Sequence, residues 1–120
     1  MMEANVIRGN DIPVEETPWG SLQWLVGGKS HPEAGMTIGR VTFEPGQANP
    51  AHRHPNCEEV LFVVAGEVEH TLPGGGKTVL HPGDVIVMRR GEKHQARNIG
   101  KETAVVLVAF NSPRRETVGE

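Results

Sequence analysis

The stretch Gly46-Gln47-Ala48-Asn49-Pro50-Ala51-His52-Arg53-His54-Pro55-Asn56-Cys57-Glu58-Glu59-Val60-Leu61-Phe62-Val63-Val64-Ala65-Gly66 decides how this chain reads. Alternate side chains of an extended segment point to one face, so His52 and His54 turn both imidazoles the same way and can reach one ion. Pro55-Asn56 then turns the chain. Glu59 opens the next extended run, which puts Glu59, Leu61 and Val63 on one face and lets the carboxylate point back into the same cavity. A fourth group, His94, lies in a later hairpin behind the glycine turn Gly91-Glu92-Lys93. Imidazoles joined by a carboxylate suit a first-row divalent metal.

Working outward, the flanks repeat the pattern of short strands and tight turns. Met36 to Phe43 alternates, with Val41 and Phe43 on one face and Arg40 and Thr42 on the other, before Pro45-Gly46 turns the chain. Val68 to Leu72 and Lys77 to Leu80 flank Pro73-Gly74-Gly75-Gly76, a hairpin in which glycine supplies positive φ. Pro82-Gly83-Asp84 leads to Val85–Met88, and two more strands are expected over His94 to Asn98 and Thr103 to Phe110. No helical periodicity lasts three turns and no solenoid repeat is visible. The expected fold is all-β, an antiparallel jelly-roll barrel. Residues 1–34 read as an extended arm with one short strand, 35–111 as the barrel, and 112–120 as a polar tail that frays, all within one domain.

With 120 residues the chain has room for one core and not for two. A net charge of −3 leaves no basic stripe to neutralise successive phosphates, so nucleic acid is not an expected partner. The single cysteine, Cys57, has no partner for an internal disulfide. Met1 to Asn5 shows no basic or apolar leader, and no apolar run approaches the roughly 18 residues that would span a bilayer. A cytoplasmic location without membrane contact is expected.

At this point the sequence closely resembles the cupin superfamily, whose first motif runs G-x5-H-x-H-x(3 or 4)-E-x6-G. Gly46, His52, His54, Glu59 and Gly66 fall in that register. The second motif, G-x5-P-x-G-x2-H-x3-N, is met by Gly83, Gly91, His94 and Asn98, with Arg89 standing where the family has proline. The resemblance implies a barrel of the double-stranded β-helix type with His52, His54, Glu59 and His94 as metal ligands. Glu58 competes with Glu59 because the family tolerates the shorter gap. The six-residue count to Gly66 favours Glu59.

The remaining reactive residues read as structural. His31 and His81 precede prolines in loops and are expected at the surface, whereas His70, alternating with Val68 and Leu72, belongs to the barrel wall. Cys57 reads as a small loop side chain, not a fifth ligand, and Arg89 and Arg90 as solvated turn residues. Trp19 and Trp24 are expected to anchor a core or a subunit contact. The chain contains no tyrosine, which excludes a tyrosine base or a cysteine-tyrosine crosslink.

A six-coordinate Mn, Fe, Ni or Co ion on these four ligands keeps two positions for substrate, whereas a closed four-coordinate Zn keeps none. One function that follows is an isomerase, lyase or dioxygenase acting on a sugar, 2-oxo acid or hydroxy acid, with Glu59 as general base. The other is a non-catalytic module that binds a small ligand around a structural metal. An enzyme needs a further polar group facing the metal, for which Arg40, Gln47 and Gln95 are the candidates. A small-molecule ligand and a homodimer are the expected partners.

Overall fold

The computed structural model describes residues 6–28 and 31–119, so the segment Met1 to Asn5 lies outside the described residues. Eleven strands follow one another: β1 (Glu15–Thr17), β2 (Gly20–Val26), β3 (Thr37–Phe43), β4 (His52–Arg53), β5 (Glu59–Ala65), β6 (Val68–Thr71), β7 (Lys77–Leu80), β8 (Val85–Met88), β9 (Ala96–Asn98), β10 (Ala104–Phe110) and β11 (Val118–Gly119). Among the described residues the helical content is two single 3-10 turns, Gly9–Asp11 and Pro32–Ala34, and no helix is long and apolar enough to cross a membrane.

All strand pairs are antiparallel. A six-stranded sheet in the order β1-β2-β3-β10-β5-β8 faces a three-stranded sheet, β7-β6-β9, and a short β11-β4 pair. This is the expected jelly roll. Strict alternation drives it: on β3, β5 and β10 every second residue is buried. Val41, Phe43, Leu61, Val63, Val106, Val108 and Phe110 thus form one core with Val68 of the facing sheet. Burying each such side chain stabilises the fold by about 1.5–3 kcal/mol.

Two expectations are corrected. The N-terminal arm is not a loose extension with one strand, because β1 and β2 form a hairpin whose seven-residue β2 pairs with β3 in the main sheet. Gly39 permits this packing: a Cβ there would lie 2.6 Å from the Trp24 ring, so only glycine leaves room for the indole on the inner face. The polar tail does not fray either. Thr37 Oγ1 donates to the Ser112 carbonyl at 2.7 Å, Asn56 Nδ2 to that of Arg114 at 2.8 Å, and β11 pairs with β4. Polar residues here satisfy backbone groups of the barrel rim, a role that composition does not reveal.

Candidate metal centre

The barrel brings its two motifs together through backbone pairing. His52 and His94 face each other as an antiparallel bridge, with the His52 N–H donating to the His94 carbonyl at 3.0 Å and the His94 N–H to the His52 carbonyl at 2.8 Å. Gly91 prepares that pairing. At φ +80° it reverses the chain while its N–H donates to the His54 carbonyl at 2.9 Å. The turn closes without the family's proline, since the Glu92 N–H reaches the Arg89 carbonyl at 3.1 Å. His54 follows His52 on the same face, and Glu59 enters from the start of β5.

His52, His54, Glu59 and His94 offer ligand atoms that all lie within 4.8 Å of one another. Opposite ligands on an ion with bonds of about 2.1 Å stand ~4.2 Å apart, so small side-chain movements close the set. Each Nδ1 faces a backbone carbonyl: His52 that of Pro50 at 2.7 Å, His54 that of Glu116 at 2.9 Å, and His94 that of Glu92 at 3.0 Å. A carbonyl only accepts, so each Nδ1 carries the proton and each neutral ring presents its Nε2 lone pair to the cavity.

Nε2 of His54 and of His94 lie 3.1 and 3.0 Å from Glu59 Oε1. None of these three buried atoms has a hydrogen-bond partner, because the contacts are close but misaligned. Orphaned buried polar atoms are costly. A cation among them supplies the missing partner, and the donor set fits a first-row divalent ion.

The charges agree with that reading. Burial favours a neutral Glu59, but the close approach and charge of His54 and His94 outweigh it and bring the carboxyl down to about 2. Burial pushes His94 down, and the neighbouring Glu59 carboxylate more than reverses this, so its pKa is raised. His52 is lowered to about 4, chiefly by burial. Without a metal the cluster therefore holds an anion and a shared proton, both of which a divalent cation replaces.

Glu59 is 5% exposed, whereas Glu58 faces outward, its backbone N–H donating to Asn111 Oδ1 at 2.8 Å. The six-residue count is therefore the right guide. Cys57 is buried but outside the ligand set, and its thiol is raised by burial and then by Glu59. His81 and both turn arginines are exposed, as expected; His31 is half-buried, not at the surface, and lies apart from the cluster.

The ligands border a cavity of about 280 Å³ whose wall is mostly apolar and includes Trp19, Leu22, Trp24, Val106, Val108 and Phe110. Both tryptophans thus line the cavity while packing on the core. Arg40 points to solvent, and neither Gln47 nor Gln95 lines the cavity. The polar lining comes instead from Asn49, His70, Arg115 and Thr117. His70, 1% exposed, stacks on His94 with centroids 5.8 Å apart, and its alternation with inward Val68 was the sign of an inward position. Arg115 and Thr117 come from the docked tail and carry no local signal.

Fold and site define a metal-binding jelly-roll barrel. Residues 39–110, more than half of the chain, match the cupin domain family, and the chain belongs to it. Germin-like protein 3-5 of Oryza sativa subsp. japonica is 39% identical over 118 residues, spanning 92% of this chain and 48% of its own length. Oxalate oxidase 1 of Hordeum vulgare is 38% identical over 85 residues, 65% of this chain and 42% of its own. The chain spans about half or less of these curated relatives. Among solved structures, recombinant oxalate oxidase in complex with glycolate has a TM-score of 0.78 at 30% identity, covering 87% of this chain and 57% of that one. The formate complex of Lactobacillus farciminis oxalate decarboxylase has a TM-score of 0.82 at 25% identity, covering 92% and 34%.

Proposed function

We propose that this cupin is a metal-dependent enzyme acting on a small carboxylic acid. The observation that carries the reading is the set of buried, unpartnered donor atoms on one side of a ligand-sized cavity, with each histidine tautomer fixed by a backbone carbonyl. The similarity to an oxalate oxidase that binds glycolate and an oxalate decarboxylase that binds formate supports a carboxylate as ligand.

When bound, a divalent ion supplies Lewis-acid polarisation of a substrate oxygen. This chain's own residues do the rest. His52, His54 and His94 hold fixed lone pairs. Glu59 is a weak base while both histidines hold it, and burial raises its basicity as those contacts loosen, which suits it to accept a proton. The apolar wall keeps bulk water away and strengthens each charge interaction.

The test is to load the purified protein with Mn, Fe, Ni or Co and incubate it with oxalate, glycolate and 2-oxo acids, following oxygen uptake, CO2 release and loss of acid. Turnover should depend on metal and vanish in His52→Ala/His94→Ala. A fully loaded protein that binds these acids and leaves all of them unchanged would favour the non-catalytic binding module.

The chain is further inferred to form a homodimer, though not through its tryptophans. On the outer face of the main sheet, Val60, Phe62 and Val64 of β5 lie beside Val85 and Val87 of edge strand β8, each between 38 and 59% exposed. A contiguous apolar face on an edge strand suits burial against a second copy.

A further inference from the structure

Arg115 occupies an unusual position. It arrives on the docked tail, and its guanidinium lies 4.2 Å above the Trp24 ring and 5.3 Å from the Phe110 ring, bordering both the cavity and an outer groove beside Glu15 and Pro113. It therefore stands at the mouth. Its Nη1 donates to Thr117 Oγ1, and no carboxylate lies within ion-pair distance of it among the described residues. Glu59 and Glu15 act on it only at longer range.

A guanidinium has five donors in a planar fork that matches a carboxylate, and most of these are unused here. A divalent ion on the cluster carries two positive charges against the single negative charge of Glu59, so with Arg115 the cavity is net positive. An anion is needed to balance it. The wall between the two charges is apolar: Leu22, Val41, Val106 and Val108 meet the aromatic faces of Trp24 and Phe110. A wholly polar dianion such as oxalate leaves that surface unfilled, whereas an acid with an apolar chain covers it.

We propose that Arg115 anchors the carboxylate of the ligand and that the ligand is a small acid with an apolar chain, lying against the Leu22, Val106 and Val108 wall. This rests on the proposed carboxylate chemistry of the metal site and narrows its substrate class. It also assigns a specificity role to the tail segment, which lies outside the residues matched by the family.

The test titrates metal-loaded protein with butanoate, hexanoate, the neutral hexanamide and oxalate, by calorimetry and by the fluorescence of Trp24. Burying one methylene corresponds to about fourfold in affinity, so hexanoate should bind ~10-fold or more tighter than butanoate, and tighter than oxalate or hexanamide. Arg115→Gln should lower hexanoate affinity to that of hexanamide at unchanged metal content, and Arg115→Lys, which keeps charge without the fork, should fall between. Equal affinities along the chain-length series, oxalate as the tightest ligand, or an Arg115→Gln protein that still prefers hexanoate to hexanamide would each overturn the proposal. A protein that holds no metal yet keeps the Arg115-dependent preference would sink the metal-dependent reading and leave the anchor standing.

Discussion

Replacing Glu59 by glutamine separates charge from shape at the metal centre. In the native site Oε1 lies 3.1 Å from His54 Nε2 and 3.0 Å from His94 Nε2, so a substitution that altered volume would disturb three ligands at once. Glutamine keeps the volume, and its amide can donate to the Nε2 lone pair that a neutral imidazole presents, so the metal-free barrel should remain folded. What is lost is the only anionic ligand. Even disturbing an outer partner of a metal ligand lowers affinity by about 10–100-fold, so direct loss of this charge should weaken binding at least ~10-fold. By linkage, tenfold in Kd is about 1.4 kcal/mol of stabilisation by saturating metal. For a domain of this size that corresponds to a loss of about 5 °C from the metal-induced rise in Tm. Metal content by elemental analysis, affinity by chelator competition and Tm with and without metal measure all three. Glu58→Gln, altering an exposed carboxylate beside Asn111, should leave them unchanged. Equal metal affinity in native protein and Glu59→Gln, or the loss appearing in Glu58→Gln instead, would refute the reasoning.

Metal-free protein should be most stable near pH 6.5. The buried His52 titrates at about 4 against an ordinary 6.5, so the unfolded chain binds the extra proton and stability falls as pH drops from 6.5 towards 4. Glu59, at about 2 against 4.5, adds a further loss below pH 4.5, while the raised His94 contributes stability that disappears as pH climbs through its folded value. Denaturant titrations across this range should show the maximum; stability that keeps rising above pH 8 without metal would contradict the role given to His94. Asn98→Ala should destabilise the fold by about 2–4 kcal/mol with little direct effect on metal affinity. The side chain is fully buried and bonds the carbonyls of Phe43 and Glu102 and the Gly100 N–H, leaving three groups unpaired when removed; a loss under ~0.5 kcal/mol by urea unfolding would count against this. Val87→Glu should halve the solution mass measured by light scattering, and an unchanged dimer would move the interface elsewhere.

Features governed by local rules were legible in the residues themselves. Period-two alternation put His52 and His54 on one face, and glycines stand where the backbone takes positive φ at Gly46, Gly66, Gly83 and Gly91. The count to Gly66 separated Glu59 from Glu58. Each of these depends on neighbours a few residues away, within reach of steric and periodic rules. What tertiary structure alone decided involves partners far apart along the chain. The His54 tautomer is held by the carbonyl of Glu116, 62 positions later, and Arg115 reaches a cavity whose wall is made by Trp24. The tail from Ser112 to Gly119 has neither apolar periodicity nor a turn signature, so nothing local distinguishes it from a frayed end. It becomes ordered because the barrel rim offers it backbone partners and an aromatic face. That complementarity exists only once the sheets have closed.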